Sequence, residues 1–227
     1  MHALPETPKQ RIAARCAQEL HAGEVVNLGL GIPTLTANYL DADAGVIFHT
    51  ENGAFGFGGR PALDAIDSDL TNAGCEPITL PPGAAIMDLA TSLGAMRNGY
   101  IDVTILGALQ VDALGNLANW ACDRNGKWWP GIGGAMDLCY GTRKVIAALA
   151  HTDKHGNSKI LPRCTLPLTG RGCVKVIVTE HAVFDVTEGG LVLREILSHA
   201  TLDDIRAMTA APFTPAPLLQ MRAPLEA

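Results

Sequence analysis

VVNLGLGIPT, Val25 to Thr34, runs from an apolar β-type segment through two glycines into Pro33 and Thr34. That order decides the fold. Residues 25–28 suit a strand, Gly29 and Gly31 let the chain turn sharply, and proline suits the first turn of a helix that the pattern carries to about Leu40. Upstream, Thr7 reads as an N-cap with Pro8 at the first helical position. Ile12, Cys16 and Leu20 form one stripe, and Gly23 stands just past the end.

Downstream the unit recurs. VIF at 46–48 leads into a turn at Glu51, ITL at 78–80 leads through Pro-Pro-Gly into a helical stretch from Ala84 to about Arg97, and VTIL follows at 103–106. KVIAALA (144–150) and VKVIVTE (174–180) are continuous apolar runs, the pattern of strands buried on both faces. Residues 183–187 and 191–197 flank Gly189-Gly190 as a hairpin, and Thr201 caps a last helix with Asp203 and Asp204 in its first turn. Strands alternating with helices predict an α/β fold: one domain over 1–227, with an open, mostly parallel sheet flanked by helices. Ligands of such sheets sit beyond the carboxyl ends of the strands. From about residue 211, a stretch with four of the 14 prolines reads as an irregular tail that wraps a neighbour or hangs free.

With 227 residues, 48% of them hydrophobic, the chain has enough apolar surface for one sizeable core. Its formal charge is -6 and no cluster of Lys and Arg occurs, which argues against a nucleic-acid partner. No apolar run approaches the length of a membrane span. Six cysteines without a C-x-x-C pair, behind an opening MHALPETPKQR, predict reduced thiols in a cytoplasmic protein.

Several short motifs are ambiguous one at a time. Asn27-Leu-Gly-Leu-Gly31 lacks the third glycine of a dinucleotide fingerprint. Its glycines either merely turn the chain or offer backbone amides to a ligand. Glu51-Asn52-Gly53 is either an ordinary Asn-Gly turn or a carboxylate placed at the end of a strand. Gly131, Gly133 and Gly134, beside Trp128 and Trp129, precede a helix start; they suit a tight turn or an oxyanion-binding amide. Asp64, Asp67 and Asp69 lack the spacing of a calcium loop, the seven histidines are dispersed, and no metal site is expected. There is no G-x-S-x-G and no H-E-x-x-H.

Taken in order, NLGLGIPTLTANYL, FHTENG, DLTNAG, ILGALQVDALGNLANW, GIGGAMDL and CTLPLTG, from about Val25 to Leu202, resemble the β subunit of the family I CoA-transferases, the 3-oxoacid and 3-oxoadipate CoA-transferases. The resemblance implies their fold, which is related to that of ribose-5-phosphate isomerase. It implies that Glu51 is a nucleophile, that the G-x-G-G at Gly131 to Gly134 lies beside the thioester, and that Gly134 supplies an N–H to it. It also implies that Asn27, Gly29, Gly31, Asn52, Gly53, Asn119, Gly131 and Gly133 help hold coenzyme A, which binds as acyl-CoA substrate rather than as a permanent cofactor. A separate CoA-transferase α subunit, in a two-plus-two heterotetramer, and a small carboxylic acid such as acetoacetate or 3-oxoadipate are the implied partners. A carboxylate nucleophile needs no base, being ionised at neutral pH. An acyl-CoA hydrolase using the same glutamate, and a ligand-sensing module of related fold, are the other readings. Thr50, Ala54, Cys75, Leu93, Asn98 and Tyr100 depart from the family pattern. The departures around 93–100 predict a changed acid specificity if that segment lines the acid pocket.

Overall fold

The computed structural model describes residues 7–222 apart from Ala42, Asn125, Ser198 and His199. In chain order the elements are α1 (Pro8–Ala17), β1 (Val25–Leu28), a 3-10 helix (Pro33–Tyr39), β2 (Ile47–Thr50), β3 (Ala54–Phe55), a 3-10 turn (Leu63–Ala65), β4 (Ala85–Ile86), α2 (Leu89–Arg97) and β5 (Val103–Gly107). There follow β6 (Gln110–Asp112), β7 (Leu117–Ala118), β8 (Ala121–Arg124), β9 (Lys127–Pro130), α3 (Ala135–Gly141) and β10 (Lys144–Ala148). The chain continues through β11 (Ile160–Leu161), β12 (Val174–Val178), β13 (Ala182–Thr187), β14 (Gly190–Ile196), α4 (Leu202–Met208) and β15 (Phe213–Met221).

Ten strands form one sheet in the order β15-β14-β13-β12-β10-β5-β1-β2-β3-β4. The run from β12 to β2 is parallel, and antiparallel pairs flank it on both sides. This is the α/β architecture that the sequence predicts. Alternation along β10 explains its continuous apolar run: Val145 and Ala147 pack with Leu138, Phe184 and Leu193, while Ile146 and Ala148 join Ile12, Cys16 and Leu20 of the α1 segment. Each large aliphatic side chain so buried contributes roughly 1.5–3 kcal/mol.

Local rules set the helix starts. Thr7 and Gln10 form a reciprocal capping box on α1, with Gln10 N–H donating to Thr7 Oγ1 at 3.3 Å and Thr7 N–H donating to Gln10 Oε1 at 2.9 Å. Thr201 and Asp204 repeat the device on α4. On the α1 side, Arg15 bonds Glu195 at 2.6 and 2.9 Å and Glu19 at 2.8 Å, Lys144 bonds Glu19 at 2.8 Å, and Arg194 also meets Glu19. Burial pushes Glu19 up, but these hydrogen bonds outweigh it and hold the carboxyl at about 2. The network ties α1 to β10 and β14.

Four boundaries differ from the sequence reading. The helix after Pro33 is a 3-10 helix with no side-chain cap. Residues 78–80 make only one isolated bridge, Thr79 to Gly58, next to another from Pro77 to Thr71, because Pro77 and Pro81 withhold ladder donors. The helix expected from Ala84 begins at Leu89, where Asp88 caps it by accepting from Thr91 N at 2.9 Å, and Ala85–Ile86 pairs with β3 instead. The stretch expected to be an irregular tail contains β15, which adds in parallel to β14 at the sheet edge. An edge strand accommodates Pro215 and Pro217 because its outer side needs no ladder partner.

Candidate active site

The carboxyl ends of β1, β2 and β5 open into a cleft of about 580 Å³ whose wall includes Asn27, Gly29, Glu51, Asn119, Gly131 and Gly133. Glu51 occupies the first corner of a turn closed by Gly53 N–H to Thr50 O at 2.9 Å. Asn-Gly suits that turn: Gly53 has φ +118, and a Cβ there would lie 2.1 Å from Met87 O. The carboxylate is half-buried, and its Oε2 accepts the Gly134 N–H at 3.0 Å, across 83 residues of sequence.

Gly134 is the N-cap of α3. A Cβ on it would fall 2.5 Å from Glu51 Oε2 and 2.9 Å from Met96 Cε, and one on Gly133 would fall 3.0 Å from Glu51 Oε1. The glycines therefore leave the carboxylate its space. α3 is held by α2: Arg97 Nε donates to Asp137 Oδ1 at 2.6 Å, and Gly141 packs so tightly that a Cβ would overlap Met96 O at 1.8 Å. A half-buried carboxylate, one aligned amide donor and an open glycine-lined approach suit attack on a carbonyl carbon.

The asparagines sit in the wall but their amides are engaged by the protein. Asn27 is buried; its Nδ2 donates to His49 Nδ1 at 3.1 Å and His49 O at 3.3 Å, and its Oδ1 accepts from Thr104. His49 Nδ1 is thus the acceptor, which leaves Nε2–H to donate to Ser92 Oγ at 2.9 Å. Asn119 donates to Gly107 O at 3.0 Å and accepts from Thr169 Oγ1 at 2.6 Å. Asn52 donates to Thr71 O at 2.8 Å and accepts from Thr50 Oγ1 at 2.8 Å. Asn52, Gly53 and Gly31 lie outside the cleft lining.

Thr50 keeps a hydroxyl where the family pattern has serine, and it uses that hydroxyl to accept Ala73 N–H at 2.8 Å. Asn72 Oδ1 accepts from Gly74 N at 2.8 Å and Glu76 N at 3.0 Å, so the DLTNAG turn is moulded by its own asparagine and pinned to the glutamate turn. Ala73 and Gly74 line the cleft, as do Gly107 and Lys159, which the sequence reading did not assign. Gly107 and Gly74 fall inside quoted motifs; nothing in the sequence marks Lys159, whose Nζ donates to Ala108 O at 3.0 Å. Leu93, Asn98, Tyr100 and Cys75 are absent from the lining, and Asn98 instead caps α2. The expectation that 93–100 forms an acid pocket finds no support in this geometry. Among the described residues no His, Cys, Asp and Glu cluster could hold a metal, and no helix is long and apolar enough to cross a membrane.

Burial holds the pKa of His49 down at about 4, and burial together with the neighbouring His181 does the same for His151. The folded state therefore takes up these protons less readily than an unfolded chain, whose histidines titrate near 6.5. Their contribution to stability is complete above about pH 6.5 and is lost as pH falls through 4, by roughly 3 kcal/mol per histidine. Thermal unfolding followed from pH 7.5 to 4 should show Tm falling across that window, less steeply in His151→Asn. A flat Tm would contradict it.

The Coenzyme A transferase family model matches residues 9–207. The beta subunit of acetate CoA-transferase from Escherichia coli (strain K12) is 50% identical over 205 residues, 90% of this chain and 93% of that protein. The corresponding subunit of 3-oxoadipate CoA-transferase from Pseudomonas putida is 44% identical over 204 residues, 90% of this chain and 95% of that protein. An acyl-CoA transferase of E. coli O157:H7, solved as a thioester complex with CoA, superposes with TM-score 0.76 at 23% identity, covering 98% of this chain and 44% of that one. This chain spans less than half the length of that solved chain, and at that identity the likeness speaks for the fold alone.

Proposed function

This chain belongs to the coenzyme A transferase family, and on that premise we propose that it is the β subunit of an enzyme moving CoA from an acyl-CoA to a free carboxylic acid through a thioester on Glu51. The observation that carries the reading is the Glu51 carboxylate, held by the Gly134 N–H at the mouth of a glycine-lined cleft. A Glu51 oxygen attacks the thioester carbonyl, the carbon–sulfur bond breaks, and an acyl-glutamyl anhydride and CoA thiolate result. The thiolate attacks the glutamyl carbonyl, releasing the first acid and leaving a glutamyl-CoA thioester. A second carboxylate reverses both steps, so acids exchange without ATP. An N–H aimed at the glutamyl oxygen stabilises the charge that develops there when the carbonyl is attacked.

The partner is an α subunit completing the cleft, in a two-plus-two assembly in the cytoplasm. The relatives' names, each that of one subunit, support a second chain. The acid is a short carboxylate, acetate or a 3-oxoacid such as acetoacetate or 3-oxoadipate, since the relatives' names divide between these. Coexpression with an α subunit, followed by assay of CoA transfer from acyl-CoA, tests the reading. Turnover should require an added carboxylic acid; free CoA accumulating at the same rate without an acceptor would establish a hydrolase instead.

A further inference from the structure

Two thiols lie together behind the cleft wall. Cys139 is on α3, and Cys173 immediately precedes β12. A Cβ placed on Gly170 would fall 2.6 Å from Cys139 Cβ, 2.8 Å from Cys173 Sγ and 3.0 Å from Cys139 Sγ, so both sulfurs flank one point where only a glycine fits. Contact with Cys173, together with burial, pushes the Cys139 thiol up, and contact with Cys139 lowers the pKa of Cys173, whose Sγ faces Gly115 O at 3.9 Å. Cys139 is buried and Cys173 half-buried. By contrast, burial pushes Cys16 up to about 12, and burial with the Asp112 charge does the same for Cys164.

We propose that Cys139 and Cys173 form an oxidisable dithiol, a modification site whose disulfide shifts α3 and draws the Gly134 N–H away from Glu51. The two segments it would join both bear on the cleft. α3 begins at Gly134, and Thr169, next to Gly170, bonds Asn119 in the wall. A disulfide holds its sulfurs about 2.05 Å apart and its Cβ atoms about 3.5–4.5 Å apart, so forming it draws the Cys139 turn of α3 toward the Cys173 segment. A displacement of about 1 Å at a reacting group is enough for a loss on the order of 100-fold.

With hydrogen peroxide as oxidant, the Cys173 thiolate attacks one oxygen, the O–O bond breaks, and a sulfenic acid and hydroxide form; the proton of Cys173 converts that hydroxide to water. The Cys139 sulfur then attacks the sulfenic sulfur, the S–O bond breaks, and the departing hydroxide takes the Cys139 proton as a second water. Two thiols and one peroxide become one disulfide and two waters.

The effect on turnover rests on the reading of Glu51 and Gly134; the disulfide itself does not. The complex with its α subunit is treated with a small excess of hydrogen peroxide, free thiols are alkylated, and peptides are mapped without reductant. A Cys139–Cys173 peptide pair lighter by two hydrogens is expected, with turnover lowered by roughly 100-fold and recovered on adding dithiothreitol. Cys173→Ser should keep the resting turnover and resist peroxide. Both cysteines found alkylated after exposure that oxidises Cys75, or a complete disulfide with unchanged turnover, would overturn the proposal. Because the crosslinked mass reads the dithiol whatever reaction is catalysed, failure of the transferase reading shows separately, in the untreated enzyme.

Discussion

Glu51→Gln is expected to lower kcat by on the order of 10⁴-fold in the assembled enzyme while leaving Tm and CoA affinity close to those of the parent. The amide has the shape of the carboxylate and its oxygen can still accept the Gly134 N–H, now at 3.0 Å to Glu51. It lacks the anionic oxygen that the proposed anhydride requires, so on that proposal the covalent route closes as a whole. The half-buried side chain makes no other hydrogen bond that the substitution breaks among those described, which is why stability should hold. Stopped-time assays of CoA transfer, alongside thermal unfolding, separate the two quantities. Near-parental turnover would remove Glu51 from the chemistry.

The second large effect is expected at Gly134→Ala. Its φ of -84 and ψ of 6 suit alanine, so the backbone has no reason to object. The added methyl would instead fall 2.5 Å from Glu51 Oε2 and 2.9 Å from Met96 Cε, both far ends of flexible side chains that can move aside. The carboxylate must leave its place, and the N–H it faced no longer points at the reacting oxygen. A fall in kcat of roughly 10²–10³-fold follows from losing one such donor, with only a small change in Tm. A large drop in Tm with proportionate loss of activity would mean that the glycine serves packing instead.

Much of this arrangement is legible in the sequence because it depends on neighbours along the chain. The capping pairs Thr7 with Gln10 and Thr201 with Asp204 sit three residues apart and behave as local chemistry requires. The apolar run of β10, and that of β12 beyond the exposed Lys175, mark strands with both sheet faces covered, at the parallel centre of the sheet. The turn at Glu51 is marked by Asn52 and Gly53. What residue types along the chain cannot carry is the meeting of Glu51 with Gly134, which needs α2 and α3 packed through Gly141 and Met96; only the family resemblance pointed to it.

The same limit explains the asparagines. Nothing near Asn27 in sequence announces that its amide will be taken by His49 and Thr104, or that His49 will reach Ser92, since those partners arrive with β2, β5 and α2. The prolines of residues 212–217 argue locally against a strand. The free edge offered by β14 prevails over them, as an edge can.

Trapping the intermediate is the most direct test of covalent catalysis by Glu51. The complex is mixed with acyl-CoA in the absence of an acceptor acid, and the peptide containing Glu51 is weighed, with and without borohydride. A CoA adduct on Glu51 is expected, and its reduction by borohydride to an alcohol, with permanent loss of activity that enzyme without acyl-CoA escapes. An unmodified Glu51 peptide in an enzyme that is turning over would contradict the glutamyl thioester route.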